Sequence, residues 1–418
     1  MRWNALLQRS IAPLSSRLSS PIVGKSPKKV TADEAVSQIK SNSTLYVHTQ
    51  ASTPTELLTS LCNRVENHQL SGLCVYHTLL GGEIPWSNEK FFGKIRSNSF
   101  FLDNTIRRLV NNGHADYIPM FLSDIPKYFR NGTLPLDFAL ISTTPPDRLG
   151  YCSIGVNVDT SLGPIESAKK IIAVTNKRMP RTFGITSIHQ SHIDSIVEVD
   201  RDIYGTSEEA SITEVKNKIG RLIADNLVED GATLQLGIGA IPDSTLAAMK
   251  HHKNLGIHTE LVGNGVVDLI ERGVIDNSKK SVMPGKIVTS FAFGPKKFYD
   301  FVDNNPMFHF TCCSWTNDLD VIRANSKMTC VNSGIEIDLT GQVVSDSIGT
   351  TFYSGFGGQL DFMTAATTTN DGLGKAIIAI TSRTNRGKSK ITSTLAKGAG
   401  VVTTRGHVRL LTQTSGNN

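Results

Sequence analysis

"ATLQLGIGAIPDSTLAAM" (residues 232–249) reads as a buried strand, a glycine turn and a helix opened by proline, and it repeats an earlier stretch, "STLYVHTQASTPTELLTSL" (residues 43–61). Thr44-Leu45 recurs as Thr233-Leu234, and Pro54 falls near the place of Pro242. In each copy another extended run follows at a similar offset, "GLCVYHTLLGG" (72–82) and "GIHTELVGNG" (256–265). Strands alternating with helices imply a largely parallel sheet, and a repeat of that order implies two similar α/β domains. The polar stretch "DRDIYGTSEEAS" (200–211) marks the boundary, giving domains over 26–205 and 206–418.

The chain has 418 residues, 39% hydrophobic and 19% charged, enough to bury a sizeable core in each domain. Its net charge of +6 is spread thinly, with no basic stripe interleaved with aromatics, which argues against nucleic acid as a partner. An anionic small ligand accounts for such a balance. Six cysteines show no CxxC or Cys/His metal spacing and read as reduced, structural thiols in a reducing compartment. No metal is expected. No run is long and apolar enough for a membrane span.

Residues 1–25, "MRWNALLQRSIAPLSSRLSSPIVGK", differ from the rest: Arg2, Arg9, Arg17 and Lys25, many serines and no acid before Asp33. That is the composition of a mitochondrial transit peptide, with the matrix as destination; a basic tail is the alternative.

Two glycine clusters punctuate the second domain. Gly237-Ile238-Gly239-Ala240-Ile241 follows a strand and opens a helix, so its backbone N–H groups can line a phosphate or carbonyl oxygen, or merely form a tight turn. It is not a dinucleotide fingerprint, because the third glycine is replaced by the run into Pro242. "SGFGGQ" (354–359) needs bare backbone either to turn or to admit a ligand. Glu336 and Asp338 alternate with apolar residues and read as the wet face of an edge strand. Glu260, in "GIHTELVGNGVVDLIERGVI" (256–275), has no second carboxylate or lysine at helical spacing. From spacing it is either a solvated charge or a reactive one.

These segments, with "NSFFLDNTIRRLVNNGHADYIPMFLSDIPKYF", "TTPPDRLGYCSIGVNVD", "NKRMPRTFGITSIHQSHIDSIVEVD" and "FGPKKFYDFVDNNP", resemble the acetyl-CoA hydrolase/transferase family from about Ala32 to Thr404. The resemblance implies two similar open α/β CoA-transferase domains with the active site in the cleft between them. It implies Glu260 as the nucleophile, attacking an acyl-CoA thioester and passing through a glutamyl-CoA thioester, with no cofactor beyond the coenzyme A thioester that is the substrate. A carboxylate ionised at neutral pH needs no general base beside it, so His258 and His189 read as structural.

The resemblance further assigns the oxyanion donors to Gly357 and Gly358, with Asn305, or its neighbour Asn304, as the side-chain donor. It assigns CoA binding to Gly237, Ile238, Gly239, Ala240 and Ile241, to Gly357, and to the segment from Ile380 through Lys388. There Arg383, Arg386, Lys388 and Lys390 suit phosphates or form a solvated loop. Ser153, Gly155 and Arg181 are candidates for the acyl carboxylate, Arg181 equally for a structural ion pair. Acyl-CoA and small carboxylates are the implied partners, and a homo-oligomer, a dimer, the implied assembly.

Two departures stand out. Relatives carry Ser-Asp-Gly where this chain has Gly263-Asn264-Gly265, and they continue as a helical segment where it reads "VVTTRGHVRLLTQTSGNN". The shortened end is expected to leave core surface uncovered. Three outcomes stay open: transfer of CoA from acetyl-CoA to an acceptor such as succinate, hydrolysis by the same glutamate, or a non-catalytic CoA-binding relative.

Overall fold

The computed structural model describes residues 14–206 and 213–414. The two halves of the repeat each build a parallel sheet. Taking each strand by its first residue, the first sheet runs Lys28, Ser195, Lys170, Phe138, Thr44, Leu73, Ile95, Asp116. The second runs Leu410, Lys375, Met328, Thr233, Gly256, Ile287, Phe308. Apart from the extra strand at Lys28, the two orders are the same, position for position. Thr44–Val47 is the counterpart of Thr233–Leu236, and Leu73–His77 of Gly256–Val262. All pairings within both sheets are parallel. Phe138–Thr143 and Ile287–Ala292 are buried along their whole length, as central strands covered on both faces must be.

The tail does not end at the sheet's rim. Leu410–Thr414 pairs with Lys375–Thr381, from Ile377 opposite Leu410 to Thr381 opposite Thr414, and fills the position that Ser195–Val199 fills in the first sheet. Leu411 is exposed on this edge strand.

Backbone hydrogen bonds join the two domains near the site. Val158 N and Asp159 N both donate to Ser290 O, at 3.1 and 3.0 Å, and Ala292 N donates to Val156 O. Ile185 N donates to Phe310 O and Phe310 N to Phe183 O, each at 2.8 Å. One apolar cluster runs through both domains, from Ile141 and Val156 to Leu234 and Ile377. Burial of this continuous apolar surface holds the cleft walls in one geometry.

The expected leader spans 1–25. Residues 1–13 lie outside the described residues, but 14–25 pack against the first domain. Leu18 is 2% exposed, Ser16 Oγ donates to Glu166, Arg17 donates to the Glu166 carbonyl, and Lys25 pairs with Asp194. These contacts tie the described part of the stretch to the first domain. All six cysteines are free, and Asp338, expected on a wet face, is buried where it caps the turn at Thr340 and Gln342.

Candidate active site

Glu260 lies on the strand Gly256–Val262, on the face shared with His258 two residues before it. His258 is fully buried and its Nε2 meets the Thr316 carbonyl at 2.8 Å, at the end of the short helix Cys313–Thr316. Burial keeps this imidazole neutral, with its pKa pushed down to about 3, so it anchors and does not titrate in the working range. The residue after the anchored carbonyl, Asn317, reaches back to Glu260: its Nδ2 donates to Oε2 at 2.9 Å. Pairing with Ile287–Ala292 runs through Thr259–Thr289 and resumes at Leu261–Phe291. Between them, the Ser290 carbonyl turns to the first domain, which brings Asp159 close to Glu260.

The opposite wall is the glycine loop. Gly357 has φ +55°, a left-handed conformation that only glycine takes cheaply. The Gly358 backbone N–H is directed at the Glu260 carboxylate. A Cβ at Gly358 would overlap Glu260 Oε2 and Asn317 Nδ2, so the position has to be bare. The first domain holds this loop in place through the Phe101 ring against Gly355, Phe121 edge-on to Phe356, and Asn111 bonded both ways to Phe352.

Glu260 opens on a cavity of about 490 Å³. Its lining includes Gly237 to Pro242, Gln235, Asn332, Ser333, Gly355 to Gln359, Lys216 and, from the first domain, Phe101. Gly239 has φ +117° and precedes the helix Ala240–Ala248, whose N-terminal amides face this space. The carboxylate touches the cavity yet sits deep in protein. Burial pushes its pKa up to about 7; the Asp159 charge adds to the rise, while the Asn317 and Gly358 hydrogen bonds oppose it. The shift is upward from the ordinary glutamate value, contrary to the expectation of an unperturbed carboxylate.

The structure brings together Glu260, Gly357, Gly358 and the turn Gly237–Ile241. It does not bring Asn305 with them. The Asn305 amide donates to Phe301 O at 3.1 Å and its Oδ1 accepts from Met307 N at 3.0 Å, so it closes its own turn; the side-chain amide beside Glu260 is that of Asn317. Ile380 is buried in its strand and its neighbour Ala379 faces the cavity instead, because adjacent strand residues face opposite sides. Lys388 sits in the exposed turn between Arg383 and Ser389, outside the cavity lining, where the cation present is Lys216.

Arg181 is structural. Its Nη2 donates to Thr144 Oγ1 and to the carbonyls of Pro145 and Tyr151. Ser153 Oγ accepts from Gly155 N, and His189 bonds Ser191 and the Leu149 carbonyl; none of these lines the cavity. Among the described residues no cluster of His, Cys, Asp and Glu could hold a metal ion, and no helix is long and apolar enough to cross a membrane.

Two repeated parallel sheets meet at a cleft that holds a half-buried glutamate faced by an amide and a glycine loop, which defines a two-domain α/β protein with a carboxylate at its cavity wall. Models of the acetyl-CoA hydrolase/transferase N-terminal and C-terminal domains match residues 25–205 and 294–415, and the chain belongs to this family. It is 45% identical over 390 residues to a succinyl-CoA:acetate/propanoyl-CoA:succinate CoA transferase of Fasciola hepatica, covering 93% of this chain and 81% of that one. It is 44% identical to a 4-hydroxybutyrate coenzyme A transferase of Clostridium kluyveri, over 91% and 88% of the two chains. The crystal structure of RipA from Yersinia pestis superposes with a TM-score of 0.85 at 31% identity, covering 92% of this chain and 88% of the other.

Proposed function

We propose that this protein transfers CoA from acetyl-CoA to a carboxylate acceptor such as succinate, with Glu260 as the nucleophile. The observation that carries this reading is the Glu260 carboxylate at a cavity wall, with Asn317 Nδ2 2.9 Å from Oε2 and the Gly358 N–H beside it. A Glu260 oxygen attacks the thioester carbonyl, the C–S bond breaks, and CoA leaves as thiolate. The thiolate then attacks the glutamyl carbonyl of the mixed anhydride, releasing acetate and leaving glutamyl-CoA. An incoming carboxylate reverses both steps and departs as acyl-CoA, restoring Glu260.

Each attack on the glutamyl carbon places negative charge on the oxygen that faces Asn317 and Gly358, where fixed donors are most effective. The amides at the start of the helix Ala240–Ala248 suit the oxyanion of the substrate thioester, and Lys216 suits a CoA phosphate. With acetyl-CoA and succinate, succinyl-CoA should form without net release of CoA. Free CoA accumulating at the same rate with or without succinate would instead make the protein a hydrolase.

Because the anion is the attacking form, kcat/KM for acyl-CoA should fall as pH drops through about 7, by roughly tenfold between pH 7.5 and 6. An acid limb near the ordinary glutamate value in the free enzyme would remove the burial argument. The basic, acid-free leader also supports import into the mitochondrial matrix. On that reading the cut falls before Leu14, since a cut at residue 25 would strip Leu18 and the Glu166 contacts. N-terminal sequencing of protein recovered from mitochondria should find Leu18 retained; a start at residue 26 with unchanged melting temperature would contradict this.

A further inference from the structure

A second buried carboxylate stands behind the first, and the chemistry above does not use it. Asp361 lies in the first turn of the helix Gln359–Ala366 that follows the glycine loop, 5% exposed. Its Oδ2 faces Asn317 Nδ2 at 3.4 Å, and its Oδ1 faces Ser123 Oγ at 3.4 Å. The Asn317 nitrogen carries two hydrogens, and it is placed with one toward Glu260 and the other toward Asp361. The Asn317 oxygen is buried with no hydrogen-bond partner.

An asparagine amide can be turned over with almost no change of shape. Here the turned form would aim Oδ1 at two carboxylate oxygens and lose both N–H donations. The Asp361 carboxylate therefore makes one orientation of Asn317 much the better, the orientation that gives Glu260 a donor.

We propose that Asp361 is a positioning residue: it fixes the Asn317 amide with an N–H on Glu260, and Ser123 ties that arrangement to the first domain. The proposal rests on Glu260 being the nucleophile. When a tetrahedral oxyanion forms at the glutamyl carbon, the group waiting for it is an N–H and not an oxygen.

Burial raises the pKa of Asp361 to about 7, and the neighbouring charges of Glu260 and Asp124 add to the rise while Asn317 and Ser123 oppose it. Lys127, bonded to Asp124, and Asp318 are the other charged groups nearby.

The test is a double-mutant cycle on the purified full-length enzyme, with each variant's melting temperature recorded and kcat and KM for acetyl-CoA measured at saturating succinate. Asp361→Asn should lower kcat by about 10- to 100-fold with KM changed less than about threefold. Asn317→Ala should lower kcat by about 100- to 1000-fold, and the double variant should match it. Effects that multiply, or an Asp361→Asn enzyme with wild-type kcat, overturn the proposal. Should Asp361→Asn not fold, Ser123→Ala replaces it in the cycle. It should lower kcat about threefold or more and lose that effect when Asn317 is alanine; an unchanged kcat overturns the tie to the first domain. Failure of the wild type to form a Glu260 adduct with acyl-CoA would count against the nucleophile and not against the positioning.

Discussion

Glu260→Gln should abolish transfer, by a factor of roughly 10⁴ or more, while making the fold more stable at neutral pH. The first effect follows from the loss of the attacking oxygen anion, for which the amide is no substitute. The second follows from the raised pKa. A group whose folded-state pKa lies above its unfolded value binds its proton more tightly when folded, so it opposes folding once the pH is high enough to remove that proton. Below about pH 4.5 the carboxyl is protonated in both states and nothing is lost. The penalty grows from there to about pH 7 and is full above it.

Because the carboxylate is only half-buried at the cavity wall, the penalty is on the order of 2 kcal/mol, below what the whole shift would give. Thermal unfolding of the glutamine variant should show a gain over wild type at pH 8 that shrinks toward pH 5. A gain independent of pH, or a loss at pH 8, would mean that the carboxylate is not held in the environment described.

Gly358→Ala should also be damaging, though less so, and for a different reason. The added methyl would overlap both the Glu260 carboxylate and the Asn317 nitrogen. Neither neighbour can retreat easily: Asn317 follows the helix end anchored by His258, and Glu260 is set by the strand that carries it. A fall in kcat of at least about 100-fold is expected from the loss of both donors. Gly406→Ala is the control, since a Cβ there meets only Thr404 Oγ1 at 3.8 Å and the residue lies outside the cavity lining, and its effect should stay within about tenfold. Equal losses in the two variants would show that the damage comes from the loops in general and not from the contact with Glu260.

The fold was legible because the repeat carried it. Two βα units with matching residues implied two like domains, and the strand orders agree down to the strand that the tail contributes. Glu260, the glycine loop and the Gly237–Ile241 turn were singled out by the family resemblance, since spacing left Glu260 a solvated or a reactive charge and each glycine cluster a turn or a ligand site. Asn317 was not, since its neighbours "CCSWTND" carry no such mark. It reaches Glu260 only because His258 grips the end of the preceding helix, a contact set by tertiary structure.

Asn305 failed for the complementary reason: an asparagine before proline can satisfy its amide inside its own turn, and this one does. Ala379 lines the cavity and Ile380 does not, since in a strand one residue is the whole difference between facing a cavity and facing away. The raised pKa of Glu260 was also beyond the sequence, since it depends on depth and on Asp159, placed there by hydrogen bonds to Ser290 from across the domain junction.

The central claim is that Glu260 carries the transferred CoA. The most direct measurement is to mix the wild-type enzyme with acetyl-CoA in the absence of an acceptor, treat it with borohydride, and map the modified peptide by mass spectrometry. The predicted result is reduction at Glu260 in the peptide containing "GIHTELVGNG", absent from Glu260→Gln and lost when succinate is added before the borohydride. Turnover without modification at Glu260, or with undiminished rate in Glu260→Gln, would contradict it.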